Sequence, residues 1–205
     1  MNINNITNNL LVVDFTEYHK KHPEESLPSN GVMFLEEPDD RLGAFCMLNP
    51  NHVSYKAINV EENQELVTNR FGEPVKQCEC IFKANREEGL RWIMLLELKY
   101  CKENNIPTNM QKALYKLEEC YDFLYNEKHY FDDNLYRVYF CVSHPEHETS
   151  QPFGNFIYNQ DRLLGLKAKN IILLYGNAVK IHNIEYLTAE RVPHRYEFNR
   201  LGGKH

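Results

Sequence analysis

Apolar positions recur along this chain with two periods, one close to two residues and one close to three and a half. The first period dominates residues 31 to 101. "GVMFLEEPDDRLGAFCML" reads as strand, turn, strand, with Pro38, Asp39 and Asp40 supplying the turn chemistry. "VSYKAINV" (53–60) is a further strand, rich in β-branched and aromatic residues. Residues 61–74 are polar and predict a connection with one helical turn. "QCECIFKANREEGLRWIMLLELKYC" (77–101) then joins two apolar runs through a charged, Gly-containing bend, which predicts a β-hairpin.

The second period governs residues 108–127. Met110, Ala113, Leu114, Leu117, Cys120, Tyr121, Leu124 and Tyr125 fall at three-and-four spacing, the mark of a helix with one buried face. Pro107 precedes Thr108-x-x-Gln111, a capping-box pattern that predicts the helix start. "LYRVYFCVS" (135–143) returns to strand periodicity. "NQDRLLGLKAKN" predicts a short helix. "IILLYG" and "AVKIHNIEYL" predict two strands with Gly176–Asn177 as the turn between them. Near the start, "FTEYHKKHPEES" predicts a short helix stopped by Pro23.

The order strand, strand, strand, helix, strand predicts a mixed sheet of the α/β or α+β class, covered by helices. At 205 residues, one domain (1–205) is expected. The chain is 42% hydrophobic and 25% charged, which is a globular balance. Its net charge of −6 removes any general basic coat and argues against passive DNA packaging. Six cysteines, at 46, 78, 80, 101, 120 and 141, lie mostly in apolar runs. No basic and apolar leader pattern opens the chain, so free thiols in a reducing cytosol are expected. No apolar run approaches the roughly 20 residues of a membrane helix.

Three charges interrupt the predicted hairpin. Along 91–100, Ile93 and Leu95 share a face with Glu97 and Lys99, while Trp92, Met94, Leu96 and Leu98 share the other. A strand apolar on both faces is interior, which places Glu97 and Lys99 at the end of a covered strand. A buried carboxylate costs several kcal/mol unless it is paired or bound to a metal. Glu97 and Lys99 can pair with each other as a strand-end ion pair. Glu79, on the neighbouring strand, can join them if the register allows. Two acids beside a lysine suit Mg²⁺ or Mn²⁺.

An acid on one strand, E-x-K on the next, then a helix and a strand resembles the PD-(D/E)xK nuclease superfamily, the restriction-endonuclease-like fold. The likeness runs through "CECIF", "LLELKYC", the helix 108–127 and "LYRVYFCVS", over residues 53–143. It implies that core, with extra strands on its N- and C-terminal sides. It also implies that Glu79, Glu97 and the Leu98 carbonyl hold the metal, and that Lys99 is the catalytic lysine. Lys116 would assist from the helix, with Gln111 as the second choice. The implied activity is Mg²⁺-dependent hydrolysis of nucleic-acid phosphodiester bonds, with DNA favoured over RNA. A defence or mobile-element setting is implied too, and a dimer or partner protein for a second cut. Glu79 follows Cys78 where the family usually has Asp after Pro. An alternative is a noncatalytic interaction module that keeps the fold and has lost the chemistry.

Other chemistry has plainer readings. Cys141-x-x-His144-x-x-His147 carries zinc-ligand residue types, but without a suitably spaced fourth ligand it reads as a solvated polar loop. Cys78 and Cys80 should share one strand face, opposite Glu79. The aromatic residues, 13 of them Tyr, read mainly as core. "ERVPHRYEFNR" can contact phosphate or remain an unstructured tail.

Overall fold

The computed structural model describes residues 13–14, 31–35, 44–51, 53–60, 63–85, 88–99, 106–131, 135–143, 160–176 and 178–190. The predicted helix at 15–26, residues His144 and His147, and the tail beyond Glu190 lie outside the described residues.

The predicted hairpin is the centre of the molecule. Strands β1 (Val13–Asp14), β2 (Gly31–Leu35), β3 (Ala44–Leu48) and β4 (Tyr55–Asn59) precede it. Strands β5 (Cys80–Ala84) and β6 (Arg91–Leu98) form it. Helix α1 (Ile106–Asn126) carries the chain over to β7 (Tyr136–Ser143). Helix α2 (Gln160–Ala168), β8 (Ile171–Tyr175), β9 (Ala178–Ile181) and β10 (Leu187–Glu190) follow. The chain is α+β, with two mixed sheets.

The central sheet has the order β4-β5-β6-β7-β8. Strands β4, β5 and β6 are antiparallel neighbours, while β6, β7 and β8 run parallel. Every residue of β6 is buried, as its two apolar faces require. The odd face, with Ile93 and Leu95, packs with Ile81, Phe140 and Val142 against Ala113, Leu114, Leu117, Cys120 and Leu124 of α1. The predicted helix stripe is thus the buried stripe. Each such fully buried aliphatic side chain contributes about 1.5–3 kcal/mol from removal of apolar surface. Helix α2 joins the same face through Leu166, and it is fastened to α1 by Arg162 on Glu118 and Lys169 on Asp122.

The opposite face departs from expectation. Helices do not cover it; the second sheet, of order β1-β2-β3-β9-β10, does. Trp92, Met94, Leu96 and Leu98 meet Phe45, Met47, Val179, Ile181 and Leu187 there. Hydrogen bonds also cross between the layers. The Trp92 indole donates to the Asn183 carbonyl at 3.0 Å, and the Leu187 amide donates to the Tyr139 hydroxyl at 3.3 Å.

Three local expectations are corrected. Helix α1 begins at Ile106, so Thr108 lies inside the first turn rather than capping it. Pro107 fits there because a first-turn amide has no intrahelical partner to lose. Gly176–Asn177 is not a hairpin turn, for β8 belongs to the central sheet and β9 to the second, where it pairs in parallel with β3. "AVKIHNIEYL" is not one strand either. It folds back on itself as β9 and β10, which pair antiparallel.

The crossing between sheets depends on Gly176. Its φ is +139°, and a Cβ built there would lie 2.9 Å from the Glu190 carbonyl oxygen. Gly176→Ala is therefore expected to destabilise the protein by about 1–3 kcal/mol through backbone strain and that clash. Urea denaturation of the two proteins measures this, and an unchanged midpoint contradicts it.

Candidate functional site

Glu97 is the seventh residue of β6, on the face turned toward α1, and its side chain is 0% exposed. Two ammonium groups reach it, and a second acid stands beyond one of them. Lys99, just past the strand, is anchored by its amide, which donates to the Ser143 carbonyl at 2.8 Å. Its ammonium turns back and donates to Glu97 Oε1 and, at 2.9 Å, to the Leu98 carbonyl. Lys116 descends from α1 and places Nζ 2.7 Å from the same Glu97 Oε1. Glu79 completes the group, with Oε1 3.8 Å from Lys116 Nζ.

Glu79 reaches the site because the strand pairing outlasts β5. The last ladder pair is Cys80 with Leu96. One residue earlier, the Glu79 amide donates to the Leu96 carbonyl at 2.9 Å, and the Glu79 carbonyl accepts from the Val60 amide at 3.0 Å. Alternation breaks here. Cys78 belongs to the helix-side core and Cys80 to the inter-sheet core, so they do not share a face as expected. Both Cys78 and Glu79 therefore approach α1. Cys78 Sγ lies 3.7 Å from Cys120 Sγ, one helical turn beyond Lys116. Burial pushes the Cys78 thiol up, and its contact with Cys120 adds to the rise. This sulfur pair was not foreseen. Cys120 on the apolar stripe was visible, but the irregular backbone before β5 leaves no mark in residue periodicity.

The electrostatics follow from this layout. Burial works to lower the Lys116 pKa, but the hydrogen bond and charge of Glu97, with Glu79 behind them, outweigh it and raise the value. Glu97 Oε1 receives both ammonium groups, while Glu97 Oε2 is buried without a hydrogen-bond partner. An unpartnered buried carboxylate oxygen is costly and marks an acceptor available to a cation.

The predicted residues thus separate cleanly. Glu79, Glu97, Lys99 and Lys116 converge, with the Leu98 carbonyl among them. Gln111 is exposed on α1, and the helix contact is made by Lys116. Cys141 is buried on the inter-sheet face, away from Glu97, where burial raises its thiol pKa. Among the described residues no three His, Cys, Asp or Glu side chains gather as a metal-binding group. The oxygen donors at the site are two carboxylates and one carbonyl, a set that suits a hard cation retaining several waters.

No family model and no solved structure matches the chain. A Saccharomyces cerevisiae protein described as "Uncharacterized protein YJR011C" is 29% identical over 90 residues, 44% of this chain. The match spans 34% of that relative's length.

Lys116→Met is expected to lower stability by about 1–2 kcal/mol in urea titration at neutral pH. The low end applies because the lysine is partly solvated and Lys99 remains on Glu97. A raised lysine pKa contributes stability that is complete below the unfolded value of about 10.4. That contribution is lost as pH rises through the folded value. The gap between wild type and variant should therefore close in strongly alkaline solution. A gap that widens there contradicts the assignment.

Proposed function

We propose that this chain is a Mg²⁺-dependent nuclease with a restriction-endonuclease-like core made of β4, β5, β6, α1 and β7. The observation that carries the reading is the meeting of Glu79 and Glu97, from adjacent strands, with Lys99 and Lys116 at one end of a fully buried strand. The connectivity supports it, since α1 links the parallel neighbours β6 and β7 directly after the E-x-K segment.

In this reading Glu79, Glu97 and the Leu98 carbonyl hold the cation. The unpartnered Glu97 Oε2 is the donor that best fits it. The bound cation supplies Lewis-acid polarisation of the phosphate and a more acidic water. Lys99 is the group closest to the acids by chain position. Its ammonium releases the Leu98 carbonyl and Glu97 Oε1 by rotation of its own side chain, and it then orients water and balances charge on the phosphate oxygens. Lys116 holds Glu97 in position and offers a second ammonium to the substrate. The substrate is a nucleic acid, with DNA preferred on the family resemblance.

A second reading has its own support. Lys99 already bridges Glu97 and the Leu98 carbonyl, as a fixed ion in an interaction module would. The two readings separate on purified protein with labelled DNA and RNA, single- and double-stranded, in Mg²⁺ or Mn²⁺. The nuclease is expected to cleave. Glu97→Gln and Lys99→Met should each reduce the rate by at least about 100-fold, in line with loss of a charge-stabilising group. Wild type that neither cleaves any substrate nor binds the cation in calorimetry overturns the nuclease and leaves the module.

A further inference from the structure

Two exposed aromatic rings, each carrying a cation, stand along the segment that leads into the acidic site. Phe71 is 74% exposed, unusual for so large an apolar side chain, and Arg70 Cζ lies 4.8 Å from its ring centroid. Tyr115 is 45% exposed, and Lys76 Nζ lies 3.9 Å from its ring centroid. Tyr115 is the chain neighbour of Lys116, and Lys76 stands three residues before Glu79. The contact of Lys116 with Glu79 therefore runs beside that of Tyr115 with Lys76.

The Phe71 loop is built rather than slack. Thr68 bridges Pro74, and the Val75 amide donates to the Val67 carbonyl at 2.8 Å. Inside that closure Asn69 Oδ1 accepts from the amides of Phe71, at 2.9 Å, and Glu73, at 3.0 Å. Gly72, at φ +82°, makes the turn after Phe71. The loop thus fixes its own backbone while leaving the ring in water. Lys76 stands five positions after Phe71, so the two lie within about 18 Å even if the chain is fully extended. That is a span of a few nucleotides, within the site sizes of single-strand binders.

We infer that the substrate is an unpaired nucleic-acid strand, with Phe71 and Tyr115 stacking on its bases and Arg70 and Lys76 meeting its phosphates. This rests on the nuclease reading for the site it feeds. The strand must be unpaired because a base inside a duplex has both faces covered by its neighbours, whereas an exposed ring needs a free π-face. The cations matter because the chain as a whole, at −6, repels a polyanion.

The test uses the full chain and measures binding in EDTA, so that cleavage plays no part. Fluorescein-labelled oligothymidylate and oligouridylate of about 12 nucleotides are titrated by anisotropy against a duplex of equal length. Single strands should bind more tightly than the duplex, and the better of the two identifies DNA or RNA. Phe71→Ala and Tyr115→Ala should each weaken single-strand binding by about 5- to 100-fold, the range base–aromatic stacking gives. Phe71→Trp and Tyr115→Phe should retain it. Phe71 is in solvent, so its variant should keep the wild-type melting curve. Equal or absent binding to single strands, or unaltered affinity in Phe71→Ala, overturns the inference. So does a dimer in analytical ultracentrifugation that Phe71→Ala dissolves, since the ring then serves a second copy. Ring-dependent binding without cleavage in Mg²⁺ upholds this surface and removes the nuclease reading. Cleavage that ignores both rings does the reverse.

Discussion

A buried carboxylate at the end of the central strand is the constraint around which this molecule is arranged. Glu97 is fully enclosed, between a sheet and a helix, where an ionised group without partners is prohibitively expensive. Two ammonium groups reach it from different elements, Lys99 from the strand exit and Lys116 from α1. Apolar packing sets the distance between α1 and β6, and the ion pair adds one fixed contact between Lys116 of the helix and Glu97 of the strand. Burying an ion pair is weak evidence for stability as such, since an apolar replacement is often at least as stable. Stability alone therefore does not account for a charged pair in this apolar layer.

The central sheet was largely legible in the sequence. The hairpin 77–101 and the helix stripe from Met110 to Leu124 have long, uninterrupted periods, and both fold as their spacing dictates. The burial of both faces of β6 was readable for the same reason. What covers its even face was not readable. A strand apolar on both sides says that two layers exist, but helices and a sheet satisfy that demand equally well. The second sheet is assembled from strands far apart in the chain, β1 to β3 and then β9 and β10, and no local pattern encodes a pairing such as β3 with β9. Gly176 illustrates the point. A Gly-Asn pair between apolar runs is the usual hairpin signal, yet here the glycine serves a sharp passage between layers.

The candidate site divides along the same line. Glu97 and Lys99 sit two apart on a strand, so their shared face followed from the pleat alone. Lys116 required the phase of the helix against the sheet, which residue spacing gives only loosely. Glu79 required the hairpin register, which sets it across from Glu97, while alternation from Cys80 already turns it toward α1. The backbone before β5 breaks the alternation at Cys78 and brings it to α1 beside Glu79. Under strict pleating, Cys78 would face the second sheet. The irregularity therefore accounts for the Cys78–Cys120 contact beside the second acid.

The position of Glu79 has a consequence for chemistry. Glu97 is sealed and Glu79 is open to water, so the two acids differ in how readily they exchange partners. The four charged side chains sum to zero, and the site as it stands repels neither a cation nor a phosphate. Among the described residues Glu79 is the acid that solvent reaches, while Glu97 is enclosed by its own strand, its lysines and α1. The segment that delivers Glu79 also carries Lys76, whose contact with Tyr115 lies beside that acid. Positive charge and exposed ring surface thus coincide beside Glu79, the more exposed acid of the pair. A purely structural ion cluster has no need of that coincidence. The proposed nuclease, which admits a charged polymer, does.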